Sequence, residues 1–269
     1  MTDYKKIFAQ EMDISGTFQE CYAFSIHKAG SSLMHKMIID VCNLSNIPAI
    51  SIPDILFLEG ISEIIWENDE NIINLITPGR IYCGFRQFPN LLLNESLNLK
   101  DKKSVLLVRD PRDALVSEFF SFGGKNISHT MPEKNKESFI KEVQTNAYMD
   151  INQYVLNSAK YYQNKLNAYK NKLNFDNVLI FKYEDIYFDK RKFLSDIFNH
   201  FSIAIESNIL DHVANENDIR PEVEDITKHI RKGTPGDYKQ KLKPSTIDKL
   251  NEMFTDIAAW YGYDLYSNP

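Results

Sequence analysis

Short apolar runs alternate along this chain with longer segments in which apolar residues recur at helical spacing. The short runs predict strands near 21–26, 48–52, 81–86, 104–109 and 177–183. The periodic segments predict helices near 31–45, 61–75, 111–122, 137–172, 190–202 and 245–260. Strands that alternate with helices form parallel sheets with helices on both faces. The pattern therefore predicts an α/β fold.

The turn between the first predicted strand and the first predicted helix combines a cation, a glycine and two hydroxyls. Lys28 precedes Gly30 by two residues, and Ser31 and Ser32 follow at the predicted helix start. Glycine lets the backbone approach a ligand closely, and the free N–H groups and dipole of a helix N-terminus favour a phosphate. The segment therefore predicts an anion-binding cradle for a nucleotide. The alternative is a serine-capped helix beside a surface lysine.

Two further segments carry cations that could hold phosphates. Arg109 ends the fourth predicted strand, at the edge where open α/β sheets bind ligands, and Ser117 follows about two helical turns later. From 229 to 239 a loop combines Arg231 and Lys232 with two glycines, and such a loop can present several donors to a phosphate. Taken singly, a strand-end ion pair and a solvated charge cluster are the alternatives.

Composition and charge narrow the class of protein. The chain has 269 residues, 43% hydrophobic content and a formal net charge of −6. This acidity argues against a nucleic acid or an anionic membrane as partner, so a phosphate site must be a local basic patch. No apolar run has the length of a bilayer span, and the first residues lack a secretory-signal pattern. We expect a soluble, cytoplasmic protein with one domain over 1–269, in which Cys21, Cys42 and Cys83 are buried free thiols.

Four motifs in the chain resemble, in the same order, those of the PAPS-dependent sulfotransferases. The loop Lys28-Ala-Gly-Ser-Ser-Leu33 is similar to the family's 5′-phosphosulfate loop, usually K-S-G-T-T-W. Arg109 and Ser117 have the spacing of the arginine and serine in its 3′-phosphate motif. The segment 231–238 resembles R-K-G-x-x-G-D-W with tyrosine in the last position, and 181–185 resembles a segment whose tyrosine lies near the adenine.

The resemblance implies a P-loop-like parallel sheet of about five strands, with PAPS as co-substrate, PAP as product and no metal. It implies that a sulfuryl group is moved to a hydroxyl or amine of a small-molecule acceptor, whose identity the sequence leaves open. Lys28 would meet the charge that develops on the leaving phosphate oxygen. The implied cofactor-binding residues are Lys28, Ala29, Gly30, Ser31, Ser32, Leu33, Arg109, Ser117, Tyr183, Arg231, Lys232 and Gly233.

The general base departs from the family pattern. Many cytosolic members carry a histidine in a K-T-H-L-P strand end, whereas Phe85-Arg-Gln-Phe-Pro89 puts Gln87 at that position. An amide cannot act as a base. Other branches of the family use a glutamate shortly after the cradle helix, so Asp54 and Glu59 are the predicted catalytic carboxylates. His27, beside the cradle lysine, is a third candidate.

Two other departures leave questions open. Leu33 replaces the tryptophan that usually stacks on adenine, and the family's dimer motif is not matched at 239–248, so the oligomeric state stays open. A related ATP- or GTP-dependent kinase is the first alternative function. It is disfavoured because its loop, G-x-x-x-x-G-K-[ST], places the lysine after the second glycine, whereas Lys28 precedes Gly30. A PAP(S)-binding protein without catalysis is the second alternative, since the usual histidine is missing.

Overall fold

The computed structural model describes residues 2–9, 16–123, 149–173, 175–225 and 231–266. Its strands are β1 (Cys21–Ser25), β2 (Ala49–Ile50), β3 (Ile81–Phe85), β4 (Ser104–Val108) and β5 (Val178–Lys182). They form one parallel sheet in the order β2-β3-β1-β4-β5. The predicted strands and the predicted α/β class are therefore confirmed.

Helices connect the strands and follow the last of them. They are α1 (Tyr4–Ile7), α2 (Ser31–Ser45), α3 (Ile52–Leu58), α4 (Glu63–Trp66), α5 (Pro111–Glu118), α6 (Ile151–Lys172), α7 (Tyr183–Phe188), α8 (Lys190–Phe201), α9 (Ser207–Glu216), α10 (Tyr238–Lys241) and α11 (Pro244–Trp260). Short 3-10 helices cover Glu70–Leu75, Asn90–Leu93, Glu95–Leu97 and Leu99–Asp101, and a π-helix covers Phe119–Gly123.

The helix predictions are confirmed for α2, α8 and α11, and the prediction of a single helix over 61–75 is wrong. There the chain forms α4, turns, and continues as a 3-10 helix. The Asp69 carboxylate causes the break, because it accepts hydrogen bonds from both the backbone N–H and the side chain of Asn71. Such local bonds offer the backbone an alternative to the helical ladder. The helices α1, α3, α7, α9 and α10 were not predicted.

Two other predicted segments differ from the structure or lie partly outside it. The helix predicted over 111–122 changes to a π-helix after Glu118. The helix predicted over 137–172 is described from Ile151 onwards, as α6. Its first part, 137–148, and nearly all of the loop predicted over 123–135 lie outside the described residues.

The three central strands are buried along their whole length. All five residues of β1, β3 and β4 are buried, as expected of parallel strands covered on both faces. Aromatic rings fill the core between β1 and β3: the Phe24 and Phe85 ring centroids lie 5.3 Å apart, and those of Tyr22 and Tyr82 lie 5.6 Å apart. The site is thus built on a well-packed sheet.

The carboxyl ends of the parallel strands meet at one edge of the sheet, and the motif residues follow them. The chain leaves β1 for β2 and β3 on one side and reaches β4 and β5 on the other, so β1 marks a topological switch point. Ligands of open α/β sheets bind in the crevice outside such a point. The segments after β1, β3, β4 and β5 therefore share one crevice.

The predicted state of the cysteines is confirmed: Cys21, Cys42 and Cys83 are buried and free. Among the helices in the described ranges, none is both long and apolar enough to span a membrane. The cytoplasmic location stays a prediction.

Candidate active site

The first motif forms a tight turn between β1 and α2. Lys28 and Gly30 both have positive φ angles, of 66° and 91°. A Cβ atom on Gly30 would lie 2.6 Å from Cδ2 of Tyr183, so this close approach requires glycine as much as the backbone angle does. The turn therefore packs the start of α2 directly against Tyr183, the tyrosine of the segment 181–185.

Lys28 points across the crevice to the π-helix that follows α5. Its Nζ donates a hydrogen bond to Oγ of Ser121, at 2.7 Å. Burial lowers the pKa of Lys28 to about 8; the Glu118 carboxylate opposes this shift, and the charges of Arg109 and Arg86 add to it. The lysine is thus partly desolvated and surrounded by other cations, so a bound anion would favour its charged form.

Arg109, at the end of β4, is buried behind the cradle. Its guanidinium lies over the Tyr183 ring, 4.4 Å from the centroid, and Nη1 donates to the Lys28 carbonyl oxygen at 3.4 Å. Nη2 lies 3.8 Å from Oδ2 of Asp113. Within the described ranges the buried Nε has no hydrogen-bond partner. Since buried donors are normally satisfied, this unused donor fits an anionic ligand.

The segment 231–238 is held in place by hydrogen bonds with Asp113 and Tyr183, which belong to two other motifs. Backbone N–H groups of Gly236 and Tyr238 donate to the Asp113 carboxylate, at 2.6 and 3.0 Å. The Tyr183 hydroxyl donates to the Gly233 carbonyl oxygen at 2.8 Å. The loop is therefore fixed to both α5 and α7, although it lies far from them in sequence.

The two cations of the segment 231–238 form ion pairs with carboxylates. Arg231 forms ion pairs with Glu224 and Asp237, and its guanidinium lies 4.0 Å from the centroid of the Phe120 ring. Lys232 Nζ lies 2.9 Å from Oδ1 of Asp237. These carboxylates orient the cations, and the side chains of Arg231 and Lys232 are both less buried than that of Arg109.

One pocket, of about 150 Å³, gathers the predicted cofactor residues. All of them line it except Ala29, which is buried below the turn and donates its N–H to the Ile26 carbonyl oxygen at 3.0 Å. The predicted residues in the wall are Lys28, Gly30, Ser31, Ser32, Leu33, Arg109, Ser117, Tyr183, Arg231, Lys232 and Gly233. Over the described part of the chain, the wall contains no carboxylate and six cationic residues. These are Lys28, Arg86, Arg109, Lys190, Arg231 and Lys232.

Sequence reasoning missed several residues of this wall. Ser121 lies on the π-helix, and Lys190 begins α8, where its Nζ lies 2.6 Å from Oδ1 of Asp218. Phe120, Tyr187, Asn217, Ile219 and Thr234 also line the pocket. Ser121 follows Ser117 by four residues, the only signal that could have suggested it. Thr234 occupies a variable position of the segment 231–238, and the remaining residues belong to no motif, because packing alone brings them to the pocket.

A second cavity, of about 530 Å³, adjoins the first. His27, Ser32 and Arg86 line both, so the two spaces meet at the start of α2. The rest of its wall is largely apolar and aromatic, with a few ionisable groups. It comprises His35, Pro53, Asp54, Phe57, Leu58, Ile61, Ser62, Glu63, Trp66, Gly84, Gln87, Phe122, Tyr161 and Lys165. Pockets of 300–1,000 Å³ with such walls are typical small-molecule sites.

Asp54 lines the second cavity, but its carboxylate is fully engaged. It lies 2.6 Å from Arg86 Nη1 and 3.4 Å from His35 Nε2, and it accepts from Ser51 Oγ at 2.8 Å. Burial alone would raise the pKa of Asp54, but the charge and hydrogen bond of Arg86, together with His35 and Ser51, hold it below its usual range. A carboxylate held in this way is a weak base.

The other two candidates for the base, Glu59 and His27, and the amide of Gln87 occupy different positions. Glu59 is exposed at the end of α3 and lines neither pocket, and its catalytic role stays a prediction. Gln87 lines the second cavity and donates to Oε2 of Glu67 at 3.1 Å, which agrees with an orienting amide. His27 lines both pockets, and its ring centroid lies 5.4 Å from that of Phe122.

The comparison with known proteins agrees with this geometry. The family model described as "Sulfotransferase domain" matches residues 85–262, well over half of the chain. The chain therefore belongs to the sulfotransferase family. No curated protein sequence matches it significantly.

Solved structures share the fold at low sequence identity. Mouse sulfotransferase SULT7A1, complexed with PAP, is 16% identical with a TM-score of 0.53, over 94% of this chain and 90% of that chain. Retinol dehydratase, in a complex with retinol and PAP, is 14% identical with a TM-score of 0.53, over 94% of this chain and 86% of that chain. These likenesses confirm the predicted fold.

Proposed function

We propose that this chain transfers a sulfuryl group from PAPS to a hydroxyl or amine of a small-molecule acceptor. We also propose that residues 1–269 form a single sulfotransferase domain. One observation carries the proposal: a pocket lined by cations joins, through His27, Ser32 and Arg86, a larger and mostly apolar cavity. A multiply anionic donor and an apolar acceptor would then meet at the start of α2.

The residues of the first pocket suit a nucleotide with two phosphate groups. Backbone N–H groups from Gly30 to Leu33 lie at the start of α2, where the helix dipole favours a 5′-phosphate. Arg109, with its unused Nε donor, would bind the 3′-phosphate together with Ser117, Arg231 and Lys232. PAP bound to two structures of this fold supports the same co-substrate. PAPS supplies the sulfuryl group, and PAP is its leaving group.

Lys28 would stabilise the negative charge that forms on the leaving phosphate oxygen. It lines the pocket beside the N-terminus of α2, and its lowered pKa lets it either pair with that oxygen as a cation or give it a proton. Arg86 lies where the two pockets join and would add positive charge near the group in transit.

The acceptor is proposed to be a small molecule with an apolar body. Phe57, Trp66, Phe122 and Tyr161 contribute aromatic surface to the second cavity. The retinol dehydratase structure holds retinol as well as PAP, which supports a small-molecule acceptor beside the nucleotide.

A transfer assay with PAPS and a panel of phenols, aliphatic alcohols and amines tests this function. We expect sulfonated product and PAP in equal amounts, and activity that survives EDTA, because cations and backbone amides would hold the phosphates. Calorimetry should show tight binding of PAP and weak binding of ATP and GTP. Phosphorylated product from ATP, with a Mg²⁺ requirement, would instead establish the kinase. Binding of PAP without transfer to any acceptor would favour a protein that has lost catalysis.

A further inference from the structure

Glu63 is the first residue of α4, and its side chain lines the second cavity. Across the described residues, no hydrogen bond or ion pair engages its carboxylate. It differs in this respect from Asp54 in the same cavity, which is held by Arg86 and Ser51. Glu63 is therefore a carboxylate that faces a small-molecule cavity with its oxygens available.

The charged and titratable groups around Glu63 come from several elements. Burial raises the pKa of Glu63 to about 7; Lys165 of α6 and Arg86 after β3 oppose the shift, and Glu67 after α4 adds to it. Tyr169 of α6 also interacts electrostatically with the carboxylate. A proton acceptor is most effective when its pKa lies near the working pH, because it is then both ionised and basic. Asp54, with a lowered pKa, does not meet that condition.

The cavity also connects Glu63 to the donor side of the site. His27, Ser32 and Arg86 belong to the walls of both pockets, so an acceptor in the second cavity can reach the start of α2 while it contacts the wall that contains Glu63. Gln87, at the family's usual base position, lines the same cavity as Glu63. The base function would thus have moved from the end of β3 to α4 without leaving the acceptor cavity.

We propose that Glu63 is the general base that takes the proton from the acceptor during sulfuryl transfer. This inference rests on the proposed function. The acceptor O–H or N–H bond breaks and its proton passes to a Glu63 carboxylate oxygen, while the acceptor atom forms a bond to sulfur. The bond between sulfur and the bridging oxygen of PAPS breaks, and its electron pair stays on the 5′-phosphate of PAP beside Lys28. Glu63 afterwards releases its proton to solvent.

Glu63→Gln tests this role, because it keeps the size of the side chain and removes the basic oxygen. Rates would be measured with PAPS and two acceptors: benzyl alcohol, which must lose a proton, and para-nitrophenol at about pH 8, where it is already largely ionised. We expect turnover on benzyl alcohol to fall about a hundredfold or more, and turnover on para-nitrophenol to fall much less. In the unmodified protein the rate on benzyl alcohol should rise with pH through about 7. That rise should disappear in Glu63→Gln, while PAP affinity stays the same.

Three further variants make the outcome decisive. Glu70→Gln removes one carboxylate from an exposed position in the same segment and should leave both rates unchanged. Glu63→Asp keeps a carboxylate and should retain the rise near pH 7 at a reduced rate, which also covers the case in which Glu63→Gln fails to fold. His27→Gln should keep the rise of the benzyl alcohol rate with pH near 7.

Several outcomes would overturn the inference. Equal losses on both acceptors would show that Glu63 only supports the cavity. An unchanged rise with pH in Glu63→Gln, or its disappearance in His27→Gln instead, would show that another group is the base. If the unmodified protein binds PAP but transfers to no acceptor, the proposed function fails, and this inference fails with it.

Discussion

The carboxylate of Asp113 accepts a hydrogen bond from the backbone N–H of Gly236 at 2.6 Å, across 123 residues of chain. A second bond, from the N–H of Tyr238, completes the contact at 3.0 Å. Asp113 lies one helical turn after Arg109, so one carboxylate on α5 fixes the loop that carries Arg231 and Lys232. Two cation-bearing motifs thus form one surface.

We expect Asp113→Ala to destabilise the protein and to weaken PAP binding. Without the Asp113 carboxylate, the N–H groups of Gly236 and Tyr238 have no acceptor, and each buried donor left unpaired costs about 1–3 kcal/mol. Thermal unfolding and calorimetry with PAP would measure both effects. Asp256→Ala, at an exposed position on α11, is the matched control and should change neither. Unchanged PAP affinity in Asp113→Ala would show that the loop does not hold the nucleotide.

The 3′-phosphate gives a second test, with two arginines and two nucleotides. Arg109→Ala and Arg231→Ala should each weaken PAP binding by about 2 kcal/mol, roughly thirtyfold in Kd, because each loses a charge-assisted contact. Binding of AMP, which lacks the 3′-phosphate, should hardly change. Arg191→Ala, which removes an exposed arginine paired with Asp211, is the control. If PAP and AMP lose affinity equally, the arginines support the fold rather than the 3′-phosphate.

The sequence predicts the sheet and the convergence of the motifs for a clear physical reason. Parallel strands buried on both faces must be short apolar runs, and their carboxyl ends must share one edge. Residues within a few positions of a strand's end, such as Lys28 after β1 and Arg109 after β4, are therefore brought together by topology. Local spacing was enough to find them.

Residues that reach the site by packing could not be predicted in this way. Lys190 and Glu63 lie on helices and have no motif neighbours, and they reach the two pockets only through the packing of α8 and α4. The engagement of Asp54 by Arg86 joins residues 32 positions apart. Sequence proximity to the cradle helix therefore suggested Asp54 and Glu59, whereas the surroundings of each carboxylate favour Glu63.

The catalytic contribution of Lys28 should appear mainly in the rate. The charge that it meets develops on the leaving oxygen during transfer, so Lys28→Met should lower turnover by about a hundredfold or more and weaken PAP binding far less. Single-turnover rates at saturating PAPS, compared with PAP affinities, separate the two effects. The matched control is Lys36→Met, an exposed lysine on α2 paired with Asp40. Near-normal turnover in Lys28→Met would exclude Lys28 as the central catalytic residue.

The lowered pKa of Lys28 predicts that PAP binding takes up protons from solution. With a pKa of about 8, Lys28 is about half protonated near pH 8 in the free protein. A bound phosphate favours the charged form and raises this pKa, so binding should take up roughly half a proton per site at that pH. For the same reason affinity should fall as pH rises from about 7 to about 9, because more protein must first be protonated. Calorimetry of PAP binding in buffers with different ionisation enthalpies measures the uptake directly. It should vanish in Lys28→Met and persist in Lys36→Met; uptake that persists in Lys28→Met would assign the proton to another group.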